Sequence, residues 1–127
     1  MQKILLVDDD KAVVETVTFL LESEGYTVVT AFNGDEGLTK AKAELPDLIL
    51  LDILMPKANG YQMSAMLSAD PALKKIPVVL LTATTQMVGT VKIQTSAKYK
   101  ISKPFSAEEL LSTIKKALSE RTSVKSI

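Results

Sequence analysis

Asp8, Asp9 and Asp10 directly follow one short apolar run, Asp52 ends a second, Thr82 ends a third, and Lys103 stands just past a fourth. Carboxylates gathered in one place repel each other, and burial disfavours their charged forms unless a cation neutralises them. A hard divalent cation with oxygen ligands does so, and Mg²⁺ typically takes one or two carboxylates plus waters and phosphate oxygens. A carboxylate held there is a competent nucleophile toward phosphorus. A transferring phosphoryl group spreads negative charge over its oxygens, and a metal ion, a lysine ammonium and a hydroxyl suit that charge. Taken singly, these residues say little. Asp10 reads as a helix N-cap, Asp52 as a turn former, Thr82 as a common strand-end residue and Lys103 as a solvated lysine. Tyr61, Met63 and Met66 read as helix packing. The set, not any member, points to chemistry.

Composition narrows the choice. The 127 residues contain no cysteine and no histidine. Without histidine there is no imidazole acid–base catalysis, no Ser-His triad and no His-ligated metal. Without cysteine there is no disulfide framework and no thiolate zinc site. A metal must therefore be held by oxygen, which favours Mg²⁺ and also suits Mn²⁺ or Ca²⁺. The formal net charge is zero, which recommends neither nucleic acid nor an anionic membrane as partner. Residues 1–70 nevertheless carry twelve acids against five bases, and residues 71–127 three acids against ten bases. An acidic half and a basic half suggest a cation site on one side and a charged docking surface on the other. No apolar stretch approaches the ~18 residues of a membrane span, and the start has the wrong shape for a signal peptide. The expectation is a cytoplasmic protein.

The elements that position these residues follow from the apolar pattern. Ile4–Val7, Val28-Val29, Leu48–Leu51, Val78–Leu81 and a poorer run over Tyr99–Ile101 are continuous rather than alternating. Such runs indicate strands buried on both faces of a parallel sheet. Between them, Val14, Val17 and Leu21 follow helical spacing, with Gly25 as a stop. Asn33 caps a helix over 34–44, with Glu36 at the capping-box position and Pro46 beyond its end. Tyr61–Ser68 reads as a third, shorter helix. Ser106–Glu109 is a capping box opening a last helix whose face is Leu110, Leu111, Ile114, Ala117 and Leu118. The segment Thr85–Ser96 should be a helix by alternation, yet its glycine and β-branched residues make it a short or mobile one. The order is βα five times: an α/β, three-layer, doubly wound five-stranded parallel sheet in one domain. Ligands bind such sheets outside the carboxyl ends of the strands, where four of the five strand ends carry the polar groups above.

The motifs ILLVDDD, LILLDILMPKANG, PVVLLTA and KISKPF resemble, in order, the receiver domain of bacterial two-component response regulators, chemotaxis regulators among them. The resemblance covers residues 3–118 and implies a flavodoxin-like strand order 2-1-3-4-5, an order known for a chemotaxis member. By position it implies that Asp52 is the phosphoacceptor and also a metal ligand. It implies that Asp9 binds Mg²⁺ directly, Asp8 through water, and the Leu54 carbonyl as a further ligand. Thr82 resembles the switch hydroxyl and Lys103 the lysine paired with the phosphoryl group, with Lys103-Pro104 a cis peptide. Met55-Pro56 and Gly60 fit the loop after the acceptor. The resemblance further implies a histidine kinase or histidine phosphotransfer protein as phosphodonor, no nucleic-acid or membrane contact by this domain, and a monomer or phosphorylation-dependent dimer. The receiver domain is expected over 1–121, with 122–127 a flexible tail or linker stump.

The family usually has an aromatic residue three positions before the lysine. Lys100 stands there, with Tyr99 one earlier, and the Thr82–Lys103 interval is one residue short. Lys98, Tyr99 and Lys100 are therefore expected to form an unusual output surface. Two rivals stand beside this reading. A haloacid-dehalogenase-type phosphatase uses an Asp-x-Asp after its first strand, but leaves Asp52 idle and needs an acidic metal-binding pair downstream of Lys103, where the only acids are Glu108, Glu109 and Glu120 and two of these read as helix-start residues. A receiver fold used only for protein interaction, never phosphorylated, is the other.

Overall fold

Lys3–Val7 forms the first strand, β1, and lies in the middle of the sheet rather than at its edge. The computed structural model describes residues 2–52, 66, 67, 69–82, 99–102 and 105–125. The other strands are β2 (Thr27–Ala31), β3 (Leu48–Asp52), β4 (Val78–Thr82) and β5 (Tyr99–Ser102), and the helices are α1 (Lys11–Ser23), α2 (Gly34–Glu44) and α3 (Ala107–Lys125). All four strand pairings are parallel. The order β2-β1-β3-β4-β5 is the expected doubly wound one. The sequence expectation over Tyr61–Ser68 lies outside the described residues except at Met66 and Leu67, both helical, and that over Thr85–Ser96 lies wholly outside them.

The continuous apolar runs are explained by a core on each face of the sheet. Ile4, Leu6, Leu48, Leu50, Val79, Leu81 and Ile101 point to one side, where Val14, Val17 and Leu21 of α1 and Leu110, Ile114, Ala117 and Leu118 of α3 cover them. Leu5, Val7, Ile49, Leu51, Val78 and Leu80 point to the other, against Ala41 of α2 with Leu67, Leu73 and Ile76. Alternate residues of a strand face opposite sides, so only a sheet sandwiched between helix layers buries a whole run. Each buried Leu or Ile contributes about 1.5–3 kcal/mol relative to exposure.

The helix ends obey local chemistry. Asp10 N-caps α1, its Oδ1 accepting from the N–H groups of Ala12 at 2.9 Å and Val13 at 3.4 Å. At the other end Gly25 takes φ +92°, while Gly25 N–H donates to the Glu22 carbonyl and Tyr26 N–H to that of Leu21. That is a Schellman closure, which needs a residue at ease in the left-handed region. Asn33 caps α2 by accepting from Glu36 N–H at 2.8 Å. The return arm of this box differs from expectation: Glu36 Oε1 accepts from the N–H of Phe32, one residue earlier, at 2.6 Å. Ser106 Oγ accepts from Glu109 N–H at 3.0 Å and opens α3. That helix runs on to Lys125, into the segment expected from the sequence as a tail beginning at residue 122.

Candidate functional site

Three carboxylates meet at the carboxyl ends of two adjacent strands. Asp8 follows the last residue of β1, and Asp52 is the last residue of β3, the strand paired with it. Asp8 is fully buried and Asp52 is 4% exposed, the two buried charged side chains among the described residues. Asp9, next along the turn into α1, is exposed. One carboxylate oxygen from each of Asp8, Asp9 and Asp52 lies within 4.8 Å of the other two.

The turn that builds this cluster is held by the backbone. Asp8 N–H donates to the carbonyl of Ala31 at 3.1 Å, continuing the ladder to β2 by one residue. Asp8 Oδ1 accepts from Asp10 N–H at 3.0 Å, the span of an Asx turn. Asp10 itself turns away to cap α1. Three consecutive aspartates thus have three tasks: Asp8 is buried at the strand end, Asp9 faces the open side of the cluster, and Asp10 starts the helix. The N–H of Asp10 is a partner the sequence reading missed, although an Asp two residues before a helix N-cap is a recognisable signal for it.

Like charges at this spacing repel by about 3 kcal/mol per pair at an effective dielectric of about 20. A hard divalent cation converts that repulsion to attraction, and three carboxylates free of nitrogen or sulfur donors fit Mg²⁺, Mn²⁺ or Ca²⁺ chemistry.

Thr82 is the last residue of β4, and in register it stands opposite Ser102 of β5. The backbone therefore ends β4 at the same edge as Asp8 and Asp52. Tyr99 and Lys100 fall within β5, opposite Val79 and Leu80. Tyr99 is partly buried against the core shared by α1 and α3. Lys103, Leu54 and Lys98 lie outside the described residues, as do Met55-Pro56, Gly60, Tyr61, Met63 and the Lys103-Pro104 bond. A shallow cleft lined by Gln2, Tyr26, Lys115, Leu118 and Ser119 lies at the other end of the sheet, where β1 and β2 begin, and shares no residue with the acidic cluster.

Residues 4–115 match the family model of the response regulator receiver domain. The protein PilH of Pseudomonas aeruginosa is 38% identical over 120 residues, spanning 93% of this chain and 98% of PilH. The DNA-binding response regulator MtrA of Mycobacterium tuberculosis is 36% identical over 118 residues. That match spans 92% of this chain but only 50% of MtrA, so the chain covers about half that regulator's length. Among solved structures, a CheY-like response regulator receiver domain protein from Methanospirillum hungatei superposes with a TM-score of 0.87 at 30% identity, covering 97% of this chain and 98% of that one.

Proposed function

This chain belongs to the response regulator receiver domain family, and from that premise we propose that it is a phosphorylation-dependent switch of a two-component phosphorelay, with Asp52 as the acceptor. The observation that carries the proposal is the cluster of Asp8, Asp9 and Asp52, whose carboxylate oxygens lie within 4.8 Å of one another at the carboxyl ends of β1 and β3.

In this reading a carboxylate oxygen of Asp52 attacks phosphorus on a phosphohistidine of a kinase or histidine phosphotransfer protein. The new O–P bond forms as the N–P bond breaks, and the donor imidazole leaves with the electron pair. The chain has no histidine of its own to supply the group. Asp9, Asp52, Asp8 by way of water, and the Leu54 carbonyl would hold the cation. Bound Mg²⁺ offsets the carboxylate charge and takes part of the negative charge on the phosphoryl oxygens. Thr82 supplies a hydroxyl and Lys103 an ammonium to the same oxygens, and both assist formation and slow hydrolysis of the aspartyl phosphate. Asp8, fixed by the Asp10 N–H and tied to β2 through its own N–H, keeps the cluster in place. Lys98, Tyr99 and Lys100 form the output surface. The proposal locates the domain in the cytoplasm, and no helix among the described residues is long and apolar enough to cross a membrane. DNA contact, which the name of MtrA states for that protein, is not assigned to this domain, whose formal net charge is zero.

Incubation with Mg²⁺ and a small acyl phosphate, read by intact mass, tests the proposal. One added phosphoryl group that disappears in Asp52→Asn is the expected result. Absence of the adduct with every donor tried would overturn it in favour of an unphosphorylated interaction module. An adduct that persists in Asp52→Asn would move the acceptor elsewhere.

A further inference from the structure

β2 is an outer strand, and the parity of its hydrogen bonds is fixed at both ends. Thr27 N–H donates to the Gln2 carbonyl and Asp8 N–H to the Ala31 carbonyl, so Thr27, Val29 and Ala31 face β1. Val28, Thr30 and Phe32 therefore turn their N–H and C=O groups outward, along the edge of the sheet. A strand edge of this kind is a template for another chain.

Two side chains of α2 reach this edge. Lys40 Nζ donates to the carbonyl of Thr30, and Glu36 Oε1 accepts from the N–H of Phe32. The two side chains also pair with each other, Nζ to Oε2 at 3.7 Å. In a parallel ladder, one residue of an added strand donates its N–H to a carbonyl and accepts at its C=O from the N–H two residues further on. Thr30 C=O and Phe32 N–H are such a pair. The ammonium thus stands where an incoming N–H would stand, and the carboxylate where the C=O of the same residue would stand.

Charge adds a reason for closing this edge. The acid-rich residues 1–70 contain β1, β2 and β3, while the base-rich residues 71–127 contain β4 and β5. The sheet order places the boundary between β3 and β4, with the acidic part ending at β2 and the basic part at β5. A β5 edge laid beside the β2 edge of another copy, with all strands parallel, therefore brings the base-rich part of one chain toward the acid-rich part of the next. Such a head-to-tail contact does not close on itself and extends without limit.

We propose that the Glu36–Lys40 pair occupies the hydrogen-bonding position of one residue of a sixth strand, and so closes the β2 edge against parallel, head-to-tail addition of another copy of this chain. It is an edge clasp built from one helix turn.

The test compares the unphosphorylated chain with Lys40→Met by light scattering at rising concentration, in low and high salt. Lys40→Met should show a mass that climbs past that of a dimer without a plateau, falls with added salt, and slows exchange of the Val28 and Thr30 amide hydrogens. Adding Thr30→Pro should return the mass to that of the parent, because proline removes an outward N–H and leaves the β1 ladder intact. Identical mass profiles for the parent and Lys40→Met would overturn the proposal. So would an increase that survives Thr30→Pro. If circular dichroism shows Lys40→Met unfolded, Glu36→Ala exposes the Phe32 N–H and is judged by the same two criteria.

Discussion

At Asp10 the carboxylate turns back onto α1, whereas the carboxylate of its neighbour Asp9 turns into the acidic cluster. Substitution should separate the two. Asp10→Ala is expected to cost about 1 kcal/mol of stability, as loss of an N-cap does, with the phosphoryl adduct of the intact-mass assay retained. Asp9→Ala should do the reverse: the adduct disappears, and the rise in melting temperature on adding Mg²⁺, which follows from binding the folded state alone, disappears with it. Thr18 is a different case. Its hydroxyl is buried without a hydrogen-bond partner among the described residues. Thr18→Val keeps the shape and removes the unmet polar atom, so it should stabilise the fold by about 1 kcal/mol in urea titration; a loss of stability would show that the hydroxyl has a partner in solution. The cluster was legible in the sequence because a carboxylate after an unbroken apolar run has few structural reasons to be there. The family resemblance separated Asp9 from Asp8 and the helix pattern set Asp10 apart as a cap, but the burial of Asp8 and exposure of Asp9 depend on the folded turn, where Asp8 N–H is tied to the Ala31 carbonyl.

Elements were legible in proportion to how much of their stability is local or is written in apolar periodicity. β1, β3 and β4 are buried on both sides and leave continuous runs. β2, partly exposed along its outer flank, shows only Val28-Val29 between threonines. Capping residues marked the starts of α2 and α3, and Gly25 marked the end of α1. The end of α2 was marked by Pro46 beyond it, but by no glycine. Leu45, 60% exposed, sits there in the left-handed region at φ +45°, a post usually given to glycine. A side chain in that region costs roughly 1–2 kcal/mol, partly offset by the greater freedom of glycine in the unfolded chain. Leu45→Gly should accordingly raise the unfolding free energy read from urea titration by a small amount, on the order of 0.5 kcal/mol. A clear drop would mean that the leucine side chain does more in packing than its exposure suggests. The clasp on β2 was not legible at all, because it needs strand parity and the reach of a helix side chain together.

For the whole molecule, the charge division noted in the sequence became spatial only when the sheet order was known, and long-range ties hold its acidic side together. Lys3 reaches from β1 to the end of α2, its Nζ donating to Glu44 at 2.8 Å, while its backbone N–H donates to Asp47 at 2.7 Å. The hydrogen bond from Lys3, and then its charge, hold the Glu44 carboxyl below its ordinary value. A carboxyl depressed in the folded state contributes stability above its unfolded pKa and loses it as pH falls through the folded value. Glu44→Gln should therefore lower the urea midpoint at neutral pH, with the difference from the parent closing as the solution is acidified below the usual glutamate range. Since the pair is exposed, added salt should shrink the difference as well. A gap unchanged by pH would assign the loss to something other than this charge. The central place of β1 has a further consequence, in time rather than in energy. During synthesis the KILLV segment emerges before both strands that flank it, and the second of these, β3, is complete only at Asp52. Until then the β3 side of a strand apolar at four of its five positions has no lasting partner, because parallel pairing must wait for its crossover helix. Nascent chains halted before β3 should bind a holdase chaperone through residues 3–7, and release it once that strand has cleared the ribosome.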